Sequence, residues 1–164
     1  MRRLRWDVAK DIRRVKELKD ILRRSTGVDI KIGEGVIEMQ GDAFKEFMAE
    51  KVLRAMLFGF SYEDAVKLLD NMIMEVIDLD IPNARRRHQI LGRLIGREGK
   101  VKKRLEEVTG THIMIRPWAV AILGPLDEVE IARRAVEKII RGAPHEAVFA
   151  FLHRWEKLRG APRG

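Results

Sequence analysis

Hydrophobic positions along this chain alternate between a helical spacing of three to four and a strand spacing of two. Helical spacing covers 6–12, 15–25, 42–58, 61–70, 84–94, 99–108, 126–141 and 144–158. Short β-rich runs cover 28–32, 36–40, 72–80, 111–116 and 118–123. Local punctuation supports these bounds. Gly27 stops one helix and Asp42 stands as N-cap of the next. Ser61 with Asp64 three residues on makes a capping-box pattern, and Pro144 falls in the first turn of the last helix. Phe44, Phe47 and Phe58 read as core. Val148, Phe151, Leu152 and Trp155 share one helical face, as core or as a partner-facing stripe.

The pattern repeats. At an offset of 83 residues, Ile12 falls on Ile95 and Thr26-Gly27 on Thr109-Gly110. Ile30-Lys31-Ile32 falls on Ile113-Met114-Ile115, and Val36 to Gly41 on Ala119 to Gly124. The register holds without a gap over some 34 positions, so two units of one fold lie in tandem. The expected division is a first unit at 1–60, a connecting helix at 61–71, a second unit at 72–142, a C-terminal helix at 143–159 and a frayed tail at 160–164. The second unit opens with a strand whose counterpart would precede Met1. The first unit is therefore expected to lack its opening strand, as a shifted or shortened start would produce.

Between two helices of the second unit stands Ile95-Gly96-Arg97-Glu98-Gly99-Lys100. Two glycines three apart permit a tight turn and let a phosphodiester approach the main chain. The helix that follows offers free N–H groups to an anion. Helix, Gly-x-x-Gly, helix, strand is the order of the KH module, whose loop clamps about four nucleotides of single-stranded RNA. The first copy has Arg13-Arg14-Val15-Lys16 in that place and neither glycine. Other glycine-loop chemistries fail on spacing. A P-loop requires a glycine where Leu94 stands and Ser or Thr where Val101 stands, and Gly92, Gly96 and Gly99 follow a helix rather than a strand.

Charge strengthens this reading. From 85 to 104 the bases Arg85, Arg86, Arg87, Arg93, Arg97, Lys100, Lys102, Lys103 and Arg104 face one acid, Glu98. A solvated helix face ordinarily mixes both signs, so this excess points to a polyanion. The whole chain of 164 residues carries a net charge of +8 and a pI near 10.0. Residues 34–80 run against the trend and are acidic, leaving a face for a basic partner or an ordinary solvated surface. There is no cysteine, which excludes disulfides, thiolate catalysis and a zinc ribbon. No apolar run approaches the roughly 20 residues of a membrane span, and the first residues lack a signal-peptide core, so a cytoplasmic protein is expected. Few Ser, Asn and Gln beside 35% charged residues resemble thermophile usage.

The remaining chemistry is thin. His88, His112, His145 and His153 lack metal spacing, and Asp78 and Asp80 read as solvent-facing acids. Trp118, in the turn between two strands, has two readings: a stacking platform for a base, or packing against the last helix.

Longer matches complete the picture. Ile90 to Gly99, Glu107-Val108-Thr109-Gly110, Val120 to Gly124 and Arg141-Gly142-Ala143-Pro144-His145 resemble the archaeal ribosome-biogenesis KH proteins of the partner-of-Nob-one (Dim-two) family. Phe58-Gly59-Phe60-Ser61, Leu68-Leu69 and Glu75 to Leu79 resemble that family's link between two KH domains. The resemblance covers most of 16–158. It implies an α+β fold of tandem type I KH domains, each a three-stranded antiparallel sheet packed with three helices, the first degenerate, with an extra C-terminal helix. It also implies a non-enzymatic protein on the 3′ region of small-subunit ribosomal RNA. That protein would assist the endonuclease that trims this end and be linked to an initiation-factor subunit. The chain departs from the family in its first loop, where members carry glycines. The residues expected on RNA are Arg86, Arg87, Arg93, Ile95, Gly96, Arg97, Glu98, Gly99, Lys100, Lys103, Met114 and Arg116. No catalytic residue, metal ligand, cofactor or membrane contact is expected. A KH adaptor on other RNA, in messenger decay, translation initiation or transcription, is the alternative.

Overall fold

Thr26 and Thr109 close two helices in the same way. Each hydroxyl donates to the carbonyl one turn back, at Leu22 and Leu105, both at 2.6 Å. Each is followed by glycine and then by a β-hairpin, so the repeat in the sequence is a repeat of structure. The computed structural model describes residues 1–5, 12–33 and 35–160, with the backbone alone for residues 5 and 12–15. It divides into two compact units, Met1–Asn71 and Met72–Gly164.

The first unit runs β1 (Arg2–Arg5), α1 (Ile12–Thr26), β2 (Asp29–Gly33), β3 (Val36–Gln40), α2 (Ala43–Phe58) and α3 (Tyr62–Ala65), the last continuing as a 3₁₀ turn over Val66–Leu69. The antiparallel sheet has the order β1-β3-β2, with Leu4 opposite Ile37 and Ile37 opposite Ile32. Leu4, Ile30, Ile37 and Met39 are buried, as are Leu18 and Leu22 of α1 and Ala49, Leu53 and Met56 of α2. Burying this apolar face is what holds a short sheet to its helices.

Two expectations change here. The first unit does have an opening strand. Arg2-Arg3-Leu4-Arg5 pairs with β3, buries Leu4, and sends Arg3 to Glu38 and Arg2 to Glu50, both at 2.9 Å. Four residues with three arginines are too few to display a period of two, so the strand escapes sequence reading. Phe44 and Phe47 are 70% and 44% exposed, not core. The buried stripe of α2 runs through Ala49, Leu53 and Met56, and Phe47 turns aside to meet Arg2 and Lys51. The helix expected over 6–12 lies, apart from Ile12, outside the described residues.

The second unit runs β4 (Met72–Asp78), α4 (Ala84–Ile95), a 3₁₀ turn (Arg97–Gly99), α5 (Lys100–Thr109), β5 (His112–Arg116), β6 (Ala119–Pro125), α6 (Leu126–Ile140) and α7 (His145–Gly160). Its antiparallel sheet has the matching order β4-β6-β5. The core gathers Ile90 and Leu94 from α4, Leu105 from α5, Ile113, Val120 and Ile122 from the sheet, and Val129, Val136 and Ile139 from α6. Val148 and Leu152 bring α7 into the same core, so the last helix is an integral part of this unit. Among the described residues, no helix is long and apolar enough to cross a membrane.

Candidate nucleic-acid interface

Asn83 starts α4 by accepting the Arg86 N–H at 3.0 Å, and Ile90 and Leu94 fix the helix on the core. Its exposed face carries Arg85, Arg86 and, at the end, Ile95, which is 40% exposed. The chain then turns at Gly96, with φ 74°. A Cβ at Gly96 would stand 2.4 Å from Val101 Cγ2 and 2.8 Å from its backbone N, so no side chain fits. Gly99, with φ 72°, has open space where its Cβ would be. Glu98 between them takes φ 54°, a left-handed conformation that costs a non-glycine residue about 1–2 kcal/mol. A hydrogen bond from Gly99 N–H to the Gly96 carbonyl, 3.2 Å, closes the turn. The N-cap of α5 is Gly99, which has no side chain to cap the helix. The loop thus holds a helix N-terminus open at the surface.

Around this turn, Arg97, Glu98, Lys100 and Lys103 are exposed. The side chains of Arg85, Arg86 and Arg97 have no hydrogen-bond or ion-pair partner among the described residues. Lys100 meets Glu98 at 3.7 Å, Lys102 meets Glu106 at 3.5 Å and Lys103 meets Glu107 at 3.9 Å. Pairs this exposed are worth about 0–1 kcal/mol and yield easily to a phosphate.

Four residues expected on RNA stand elsewhere. Arg93 points inward, donating from Nη1 to the Ile139 carbonyl at 2.9 Å and from Nη2 to the Ala143 carbonyl. His145 Nε2 in turn donates to the Arg93 carbonyl at 2.9 Å. The Arg141-Gly142-Ala143-Pro144-His145 run is therefore a brace that ties the start of α7 to α4 just before the loop. Arg87 donates to the Ile81 carbonyl at 3.1 Å. Met114 and Arg116 fall on the far face of the sheet, because Ile113 and Ile115 point to the helices and side chains alternate along a strand.

The edge of β5 adds what the sequence does not display. Ile113 donates its N–H outward to Glu106 Oε2 at 3.1 Å rather than to β6. In an antiparallel ladder the next outward-facing main chain is two residues on, at Ile115. Trp118, 65% exposed in the β5–β6 turn, presents its ring to solvent rather than to the last helix. Among the described residues no cluster of His, Asp or Glu is arranged to hold a metal.

The family profile described as eukaryotic type KH-domain (KH-domain type I) matches residues 73–157. A KH domain-containing protein of Methanocaldococcus jannaschii is 34% identical over 148 residues, 84% of this chain and 64% of that protein. The RNA-binding protein pno1 of Drosophila melanogaster is 36% identical over 105 residues, 61% of this chain and 44% of that protein. The chain thus spans less than two thirds of either relative. Dim2p of Pyrococcus horikoshii, solved in complex with a/eIF2alpha and rRNA, superposes with a TM-score of 0.83 at 29% identity, covering 95% of this chain and 93% of that one.

Proposed function

This chain belongs to the type I KH family, in its partner-of-Nob-one (Dim-two) branch, and on that premise we propose that it is a single-stranded RNA-binding factor of small-subunit ribosome assembly. The loop Gly96–Gly99 clamps the sugar–phosphate backbone. Arg97, Lys100 and Lys103 neutralise phosphates, and Arg85 and Arg86 extend the basic path along α4. Bases lie over Ile95 toward the edge of β5, and Trp118 offers a ring on which one more can stack. The observation that carries this reading is the crowding at Gly96: a turn with no room for a side chain, opening onto an uncapped helix beside an unpartnered arginine.

The RNA is the single-stranded 3′ region of small-subunit ribosomal RNA, and the role is to present that end to the endonuclease that trims it. An initiation-factor subunit is a second partner, in keeping with the complex formed by the Pyrococcus relative. The chain acts in the cytoplasm and without cutting RNA itself. Fluorescence anisotropy against an oligonucleotide of that 3′ end and a scrambled strand, at one ionic strength, tests this. At least tenfold preference for the authentic strand is expected, about 1.4 kcal/mol. Equal affinity reduces the protein to a general RNA adaptor, and metal-dependent cleavage by the pure protein overturns the non-enzymatic role.

A further inference from the structure

Behind the loop, α5 and α7 leave a groove of about 640 Å³ between them. Its floor is apolar, built from Val101 and Val108 of α5 and Phe149 and Leu152 of α7. Its rims carry opposite charge. Lys100 and Arg104, one turn apart, form the α5 rim; Glu146 and Glu156 form the α7 rim. Among the described residues Lys100 meets only Glu98, at 3.7 Å in an exposed pair. Arg104 lies 4.0 Å over the Phe149 ring and has no carboxylate partner among the described residues. Glu146 has no ion-pair partner among them, and Glu156 meets only His153, at 3.8 Å.

RNA fits this groove poorly, since a strand tracking along it would meet two carboxylates on one side. A helix fits it well. The ten steps from Glu146 to Glu156 rise about 15 Å, some three turns of a partner helix. We infer that the groove docks an amphipathic helix of a partner protein. The helix lays an apolar stripe at i, i+3/i+4 and i+7 on the floor, with an acidic flank toward Arg104 and a basic flank toward Glu146 and Glu156. Val101, the residue that crowds Gly96, forms part of the floor, so the docked helix lies directly behind the RNA clamp.

Random 16-residue peptides displayed on phage, selected against the full chain, test the inference. Enriched peptides should carry the stripe with acids on one flank and bases on the other. Ala150→Trp, which fills the groove from an exposed position, should weaken a selected peptide at least tenfold and leave affinity for single-stranded RNA unchanged. Selection against Glu146→Lys with Glu156→Lys should replace the basic flank by an acidic one. Unpatterned peptides, or peptides bound equally by Ala150→Trp, overturn the proposal. A tenfold loss of affinity for an eight-nucleotide RNA in Ala150→Trp also overturns it, by giving the groove to nucleic acid.

Discussion

In the first unit the backbone runs as one helix from Ile12 to Thr26; in the second, the matching stretch breaks after Ile95 and restarts at Lys100. Both stretches are basic and both end on the same threonine cap. What separates them is two glycines. Arg13-Arg14-Val15-Lys16 stand in the first turn of α1 and include no glycine, whereas Gly96 and Gly99 stop one helix, turn the backbone and leave the next open to an anion. Under the proposed function, charge on both units attracts RNA and the glycine turn of the second unit grips the strand.

The largest effect should come from closing the turn. Gly96→Ala places a Cβ against Val101 and keeps a positive φ. The overlap costs about 1–3 kcal/mol and the conformation about 1–2 kcal/mol more. A thermal melt should fall by several degrees, and RNA binding should be lost beyond tenfold. Gly99→Ala meets no neighbour, so only the conformational cost remains, and its melt should lie between that of Gly96→Ala and wild type. Equal losses from the two changes would show that crowding is not what sets the loop.

Next is charge within an intact turn. Arg97→Asp with Glu98→Asp keeps both glycines and removes the one unpartnered arginine of the loop. RNA affinity should drop at least tenfold, about 1.4 kcal/mol, with the melt unchanged. The same reversal in the first unit, Arg13→Glu with Arg14→Glu, should cost less. It should flatten the salt dependence without altering sequence preference, because phosphate contacts carry no sequence information. A larger loss from the first unit would reverse the comparison.

The glycine turn is legible in the sequence because its signal is local: two glycines at fixed spacing, a run of basic residues, and helical periods on either side. The repeat is legible because Thr-Gly and the hairpin that follows recur at one offset. The brace is not. Arg93 reads as one more basic residue, and only the fold brings it to Ile139, Ala143 and His145. The face taken by Met114 and Arg116 is not legible for a related reason, since which face of β5 looks to the helices depends on the register with β6. β1 is missed because three arginines in four residues carry no period. Exposure of Phe44 and Phe47 is missed because an aromatic near a helix start reads as core until the buried stripe is known.

The smallest effect concerns the first unit alone. Glu46 is 4% exposed, and the Gly41 N–H donated to its Oε1 at 2.9 Å holds its carboxyl below the ordinary carboxylate value. A depressed carboxyl contributes stability above its unfolded pKa and loses it as pH falls through the folded one. Glu46→Gln should therefore melt slightly below wild type at neutral pH, and the gap should close as pH falls through the carboxylate range. A gap that persists in acid would assign the role of Glu46 to shape rather than charge.

The contrast between the units is tested most directly by titrating the full chain with a short single-stranded RNA and following backbone amide shifts by NMR. Shifts should be largest at Gly96 to Val101 and extend to Ile95 and the edge of β5 at Ile115, with smaller, salt-sensitive changes in α1. Shifts concentrated in α1, with the amides of Gly96 to Val101 unmoved, would contradict the account.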